Sequence, residues 1–534
     1  MGISLGIAVT GGGEMTRSRR VWQHPATQPL LAGAIGLLIS LINISQPSIW
    51  YDEAATVTAT TRSWGQLWQM LGTVDAVHGA YYLFIHAVVD VFGYSATIIR
   101  IPSAIAVGAG AALTVLLARH AGGPGLAFLA GMIFCLMPRA TWMGTEARSY
   151  ALSAALAALL TLVLVLARRS PTWRWWALYG VVAVVACLVF SYLALVVAAH
   201  GLTMLWWWLS SRHRPGQATA AHAGTDAETD AATQPHHQPA SVLWRWFVVT
   251  AAAAVALLPF GLAIVGQSKQ VSWIQPLSED TPRQVFRTQW FFFDTPFAIV
   301  GCTLMIVGAA VLIFGRRGFS VGQVVLPALV LPTVALLVAT EVYTPLYSPR
   351  YLTMCLPFAA ITMAAAIAAL KNRILILIAM AVLVALAVPS FVEQREPDAK
   401  QGATWNEVAD LIAAEPAASE KTAIIYGRIR YHVSATSRVI AYSYPDAFRG
   451  TIDVTLDTPA AETDGLWETR NPLAESLGRL DDAEVAYLVT SVKRDWRPGT
   501  TETLATIGWT VTGSWTIGDV NVLRYEPGNG STGG

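Results

Sequence analysis

Asp52 and Glu53 stand directly after the first hydrophobic run of the chain, Leu30 to Trp50. An acidic pair at the water-facing exit of a membrane helix does nothing to hold that helix in lipid, and an exposed carboxylate there can act as a general base. A second set opens a later apolar run as Glu146-Ala147-Arg148-Ser149-Tyr150, and a third opens another as Arg350-Tyr351. Asp75, His78 and Arg100 lie in or just beyond the first large loop. Taken singly, each of these charges is accounted for by solvation or snorkelling at a helix end. Together they are harder to dismiss, because ionisable groups at membrane depth are costly and mark function by default. Carboxylates supply proton transfer and arginine forks match phosphate oxygens, so the chemistry implied is a hydroxyl nucleophile meeting a lipid phosphate at one membrane face.

The elements that must position these residues are membrane helices. Hydrophobic residues make up 54% of the 534-residue chain, charged residues 13%, and mean hydropathy is +0.49. A net charge of +1 gives no preference for nucleic acid. Runs long enough to cross about 30 Å of hydrocarbon occur near 29–49, 98–118, 124–141, 148–167, 175–190, 191–211, 246–266, 296–315, 321–340, 351–370 and 374–391. With 80–92 read as a helix in the outer interface, Arg17/Arg19/Arg20, Arg119, Arg168/Arg169/Arg174, Arg212/Arg214/Arg245, Arg316/Arg317 and Lys371/Arg373 all fall on one side. The positive-inside rule makes that side the cytoplasm. Asp52, Glu53, Asp75, Asp90, Glu146, Glu279, Asp280, Asp294 and Glu341 fall on the other.

The expected organisation is a cytoplasmic tail over 1–28 and a polytopic α-helical membrane domain of about 11 transmembrane helices over 29–391. The membrane domain includes an outer loop over 50–97 and a polar cytoplasmic linker over 212–242, which reads as disordered. A small extracytoplasmic α/β domain follows over 392–527, then a disordered tail over 528–534. In the outer domain TWNEVADLIAA has helical spacing, whereas TAIIYG, RVIAYSY, EVAYLVTSV and the WTVTGSW/NVLRYEP pair read as strands. Cys135, Cys187, Cys302 and Cys355 lie in apolar runs and read as small buried hydrophobes, with no metal or disulfide spacing.

Five segments in order carry a family resemblance: WYDEAAT (50–56), DAVHGAYY (75–82), FGYSATIIRIPSA (92–104), PRATWMGTEARSYAL (138–152) and PRY (349–351). The chain resembles the polyprenyl-phosphate-sugar-dependent membrane glycosyltransferases of GT-C fold, and within them the dolichyl-phosphate-mannose protein mannosyltransferase-like group. Where those proteins usually carry a proline pair after the histidine, this chain has Gly79-Ala80. The resemblance implies a hexosyl- or pentosyltransferase at the plasma membrane, with a polyprenyl-phosphate sugar as donor and a cell-envelope glycan, lipid or protein as acceptor. It implies Asp52 as the base of an inverting displacement, with Glu53 beside it in support and Glu146 as a second carboxylate. A divalent metal cation shared by Asp52 and Glu146 would hold the leaving phosphate. Arg148 and Arg350 are then the partners of the donor phosphate, with Arg100 and Lys269 in reserve, and Asp75, His78, Tyr150 and Tyr351 complete the substrate-binding set. The competing class is a transporter or flippase of lipid-linked sugars, which would place its polar groups near the bilayer midplane in repeated halves; here they cluster at helix ends.

Overall fold

The computed structural model describes residues 24–170, 172–212, 239–315, 321–429 and 435–528. Residues 1–23, Arg316 and Arg317, the end of the chain from 529 and residues 213–238 of the expected 212–242 linker lie outside the described residues, and the two ends of that linker, Arg212 and 239–242, are helical rather than disordered. Each of the eleven apolar runs contains a helix. They are α1 (Thr27–Leu41), then, beyond the outer-loop helices α2 (Tyr51–Thr60), α3 (Trp64–Thr73) and α4 (Gly79–Phe92), α5 (Ala96–Gly122), α6 (Pro124–Leu136), α7 (Tyr150–Arg169), α8 (Trp173–Val189), α9 (Ala194–Arg212), α10 (Pro239–Ala256) with α11 (Leu258–Gly266), α12 (Thr295–Phe314), α13 (Gly322–Val342), α14 (Leu356–Ala368) and α15 (Arg373–Glu393).

Seven of these, counting the 3₁₀ turns that lead into α9 and α14, are long and apolar enough to cross a bilayer, and the bent pair α10–α11 makes an eighth. The helices α1, α6 and α8 have 15, 13 and 17 residues, so at 1.5 Å per residue they span roughly 20–25 Å and fall short of the hydrocarbon thickness on their own. The 14 residues of α4 are likewise too few to cross. The N-termini are set by local sequence: Ser63 and Gln66 form a capping box on α3, and the side chains of Ser95, Asp294 and Asn372 accept the first free amides of α5, α12 and α15.

Small residues fix the packing. A Cβ on Gly108 of α5 would lie 2.7 Å from the carbonyl oxygen of Gly33 on α1, so glycine at 108 is what lets these two backbones touch. The helix α14 is buried almost throughout and forms the centre of the bundle, whereas α12 and α15 present most of their surface outward.

Beyond α15 comes the C-terminal domain, the one expected to lie outside. Its sheet has the order β2-β1-β3-β5-β4, built from β1 (Thr422–Tyr426), β2 (Ile452–Asp453), β3 (Val485–Ser491), β4 (Trp509–Ile517) and β5 (Val520–Pro527). β1 runs parallel to β2 and β3, and β5 antiparallel to β3 and β4. The helix α16 (Trp405–Ala413) and the strand pair β4–β5 stand where the sequence placed them. RVIAYSY does not: Arg438–Ser443 is the helix α17. Its β-branched and aromatic content suggested a strand, but Val439, Ile440 and Ser443 are buried at the three- and four-residue spacing of a helix face. The last helix is α18 (Arg497–Ala505).

The outer loop and the outer domain share one hydrophobic core. Ile49, Trp50, Val57, Leu67 and Tyr82 pack in the same cluster as Trp405, Ile424, Val439 and Val489. The site residues of the first loop are therefore clamped between bundle and sheet.

Candidate active site

Helix geometry separates the two neighbours Asp52 and Glu53. Successive residues on a helix point about 100° apart, and here Glu53 is buried in the protein while Asp52 keeps part of its side chain exposed. Glu53 is fully buried; it accepts from Arg100 Nε (2.8 Å) and Nη2 (2.6 Å) and from the Ala147 amide (2.9 Å). Arg100, also fully buried, donates further to the carbonyls of Ile44, Pro47 and Ser48. The α1–α5 contact holds those carbonyls over the guanidinium. The sequence made Arg100 a reserve partner of the donor phosphate and Glu53 a helper of the base. The structure instead uses the pair as a closed pedestal, with every guanidinium nitrogen engaged, under the start of α2.

Asp52 points the other way and pairs through Oδ2 with Arg350 Nη1; both side chains keep some exposure, 19% and 26%. The Arg350 guanidinium lies 5.7 Å from the Trp50 ring and 5.4 Å from that of Trp273. Tyr351 stacks on Tyr192 (5.1 Å) and Tyr150 meets Phe190 edge-on (6.1 Å), so both tyrosines belong to an aromatic wall on this side.

Arg148 forms no ion pair with Glu146 among the described residues. Its Nη1 donates to the Asp52 carbonyl and to Tyr82 Oη (both 3.3 Å), and its Nη2 lies 3.1 Å from His78 Nε2. Tyr82 in turn donates to Asp75 Oδ2 (2.9 Å). Asp75 has a left-handed backbone (φ 57°), unusual for a non-glycine residue, which turns the chain sharply between α3 and α4. Burial pushes the Asp75 carboxyl up, and burial followed by the nearby Arg148 charge pushes the His78 imidazole well down. His78 is thus held neutral, able to accept from Arg148. Asp52, Asp75, His78, Arg148, Arg350 and Tyr351 converge from α2, the turn before α4, the start of α7 and the turn before α14. Lys269 is exposed.

Glu146 forms a second, deeper focus. It is buried, and its Oε2 accepts from Trp142 Nε1 (2.9 Å). The fully buried Lys400 lies 3.8 Å over the Trp142 ring and donates to Thr145 Oγ1 (3.3 Å). Burial raises the Glu146 carboxyl, opposed by the Lys400 charge, and burial brings Lys400 down to about 8. Sequence reasoning missed Lys400 and Trp142 and gave Tyr82 no role. Lys400 sits in a polar stretch just after α15, and only the docking of that strap brings it beside Glu146.

The expected metal does not suit this donor set. Among the described residues no three His, Cys, Asp or Glu side chains gather. Asp52 is taken by Arg350, and Glu146 is bonded to Trp142 with Lys400 beside it, so a dication would have to displace or sit against fixed cations.

An apolar helical bundle carrying an α/β domain, with a carboxylate–arginine cluster where they meet, defines a multi-pass membrane protein. No protein-family profile and no curated protein sequence matches the chain. Its structure is similar to ArnT from Cupriavidus metallidurans in the apo state, with TM-score 0.54 and 13% identity over 92% of this chain and 97% of that one. Against the same protein bound to undecaprenyl phosphate the TM-score is 0.52 and the identity 12%, with the same coverage. Archaeoglobus fulgidus AglB, in complex with an inhibitory peptide and a dolichol-phosphate, gives TM-score 0.44 and 12% identity over 95% of this chain and 75% of that one. The fold rests on ArnT: this chain has the GT-C fold of membrane glycosyltransferases.

Proposed function

We propose that this protein transfers a sugar from a polyprenyl-phosphate donor to a hydroxyl acceptor by a single inverting displacement. The observation that supports it most is the Asp52–Arg350 pair, partly open beneath Trp50 and Trp273, in a fold whose relative ArnT is bound to undecaprenyl phosphate. The donor phosphate takes over Arg350, with Arg148 next to it across the Asp52 carbonyl. Losing its arginine frees the Asp52 carboxylate to accept a proton. Asp52 then removes the acceptor O–H proton as that oxygen attacks the anomeric carbon. The bond from that carbon to the phosphate oxygen breaks, its electron pair leaves with the phosphate, and the arginines stabilise the charge that develops there. The donor is thereby required before the base is available. Glu146, with Trp142 and Lys400, forms the floor of the site.

The sugar is a hexose or pentose and the acceptor a component of the cell envelope. The enzyme sits in the plasma membrane with its N-terminus in the cytoplasm and its outer domain outside, as the sorting of Arg and Lys against Asp and Glu supports. The transporter alternative gains nothing from the geometry, because the ionisable residues gather at helix ends. The test is to incubate the purified protein with a panel of polyprenyl-phosphate mannose, arabinose, glucose and galactose and to follow polyprenyl phosphate release. Release from at least one donor is expected; a protein that releases none, yet moves intact donor across a vesicle bilayer, is a transporter.

A further inference from the structure

Tyr51, the residue before Asp52, meets an aromatic side chain from the outer domain. The loop between β2 and β3 carries Trp467, whose ring lies 5.6 Å from that of Tyr51 at an angle of 39°. Both rings are only partly buried. That ring also packs on the core common to the first loop and this domain, but the loop has other anchors. Buried Arg62, just beyond α2, donates to the carbonyls of Thr463 (3.0 Å) and Gly465 (2.7 Å), and the Thr463 hydroxyl donates to the Trp467 carbonyl (3.0 Å). Next to the tryptophan, the Glu468 carboxylate accepts from Arg438 (2.7 Å) and Thr436 (2.6 Å). The part of the ring left open, next to the residue that precedes the proposed base, is fixed in place from both sides.

We propose that Trp467 and Tyr51 form the acceptor subsite, and that the acceptor is a carbohydrate whose ring lies on Trp467 with one hydroxyl aimed at Asp52. The inference rests on the glycosyl-transfer reading and adds the acceptor class to it. The donor phosphate occupies the Arg350 and Arg148 side, which leaves the acceptor the side of Tyr51 that meets Trp467. A sugar ring has an apolar C–H face that an indole covers while its hydroxyls stay in water or reach carboxylates. A polypeptide acceptor would need free backbone partners, and the carbonyls of Thr463, Gly465 and Trp467 are already taken. The outer domain then supplies half of the specificity of a site whose chemistry lies in the membrane domain.

The experiment compares wild type, Trp467→Ala and Trp467→Phe with octyl glycosides of mannose, arabinose and galactose, and with a threonine-containing peptide, as acceptors. At subsaturating glycoside, the ratio of sugar transferred to sugar lost to water falls roughly tenfold in Trp467→Ala through a raised acceptor KM, and Trp467→Phe recovers most of it. A ratio within twofold of wild type in Trp467→Ala overturns the proposal, as does transfer to the peptide with none to any glycoside. Were wild type to release no polyprenyl phosphate from any donor, the glycosyl-transfer reading would fail. Fluorescence titration with the same glycosides would then decide the subsite alone: weaker binding to Trp467→Ala supports it, and equal or absent binding to both proteins overturns it.

Discussion

Replacing Asp52 by Asn removes a proton acceptor while keeping the shape of the side chain, and it also changes what Arg350 does. The amide still offers an oxygen to the guanidinium but no charge, so in the substituted protein the arginine is held more weakly. Two effects of opposite sign follow. Loss of general-base catalysis lowers turnover by about 10²–10⁴, equivalent to roughly 3–5 kcal/mol of barrier. At the same time polyprenyl phosphate, which competes with Asp52 for Arg350, binds no more weakly and, by the loss of a charge-assisted pair, about tenfold more tightly. With part of both side chains open to water, the pair contributes little to folding, so expression and the melting temperature in detergent should stay near wild type. The assay is polyprenyl phosphate release under saturating donor, together with equilibrium binding of polyprenyl phosphate. Turnover near wild type in Asp52→Asn would refute the assignment of the base; a clear drop in phosphate affinity would refute the competition for Arg350.

Glu53→Ala, one residue away, should fail for a different reason. It strands the fully buried Arg100, at a cost of about 3–5 kcal/mol, a large share of a typical total, and shows as lost expression or a Tm drop of several degrees; a stable but inactive Glu53→Ala would return Glu53 to the chemistry. Arg350→Ala should weaken polyprenyl phosphate binding about 10–100-fold with the protein folded, and unchanged affinity would move the phosphate to Arg148. For topology, Glu146 is too buried to label, so the informative pair is Asp464→Cys and Thr172→Cys, both exposed. An impermeant thiol reagent added outside intact cells should modify the first alone, and modification of Thr172→Cys would invert the orientation.

That the apolar runs form helices, seven or eight of them long enough to cross a bilayer, could be read from the chain alone. Hydrophobic runs and the placement of Arg and Lys are local properties, and lipid rewards or penalises them segment by segment. For the same reason α16 and the β4–β5 hairpin were legible. Helix and strand were harder to tell apart in the short run 438–443, where composition and spacing disagreed and burial of Arg438 against Asp453 and Glu468 accompanied the helix. The division of labour among the charges, by contrast, emerged only from the folded molecule. The resemblance put Asp52 ahead of Glu53, but only the facing arginines show how the two differ: Arg100, locked to three carbonyls, takes Glu53 out of reach of water, while Arg350 leaves Asp52 partly open. Lys400 beside Trp142 and Trp467 against Tyr51 join positions far apart in the chain. No periodicity or spacing encodes such pairings, because they exist only once the outer domain has docked on the first loop and buried a core common to both.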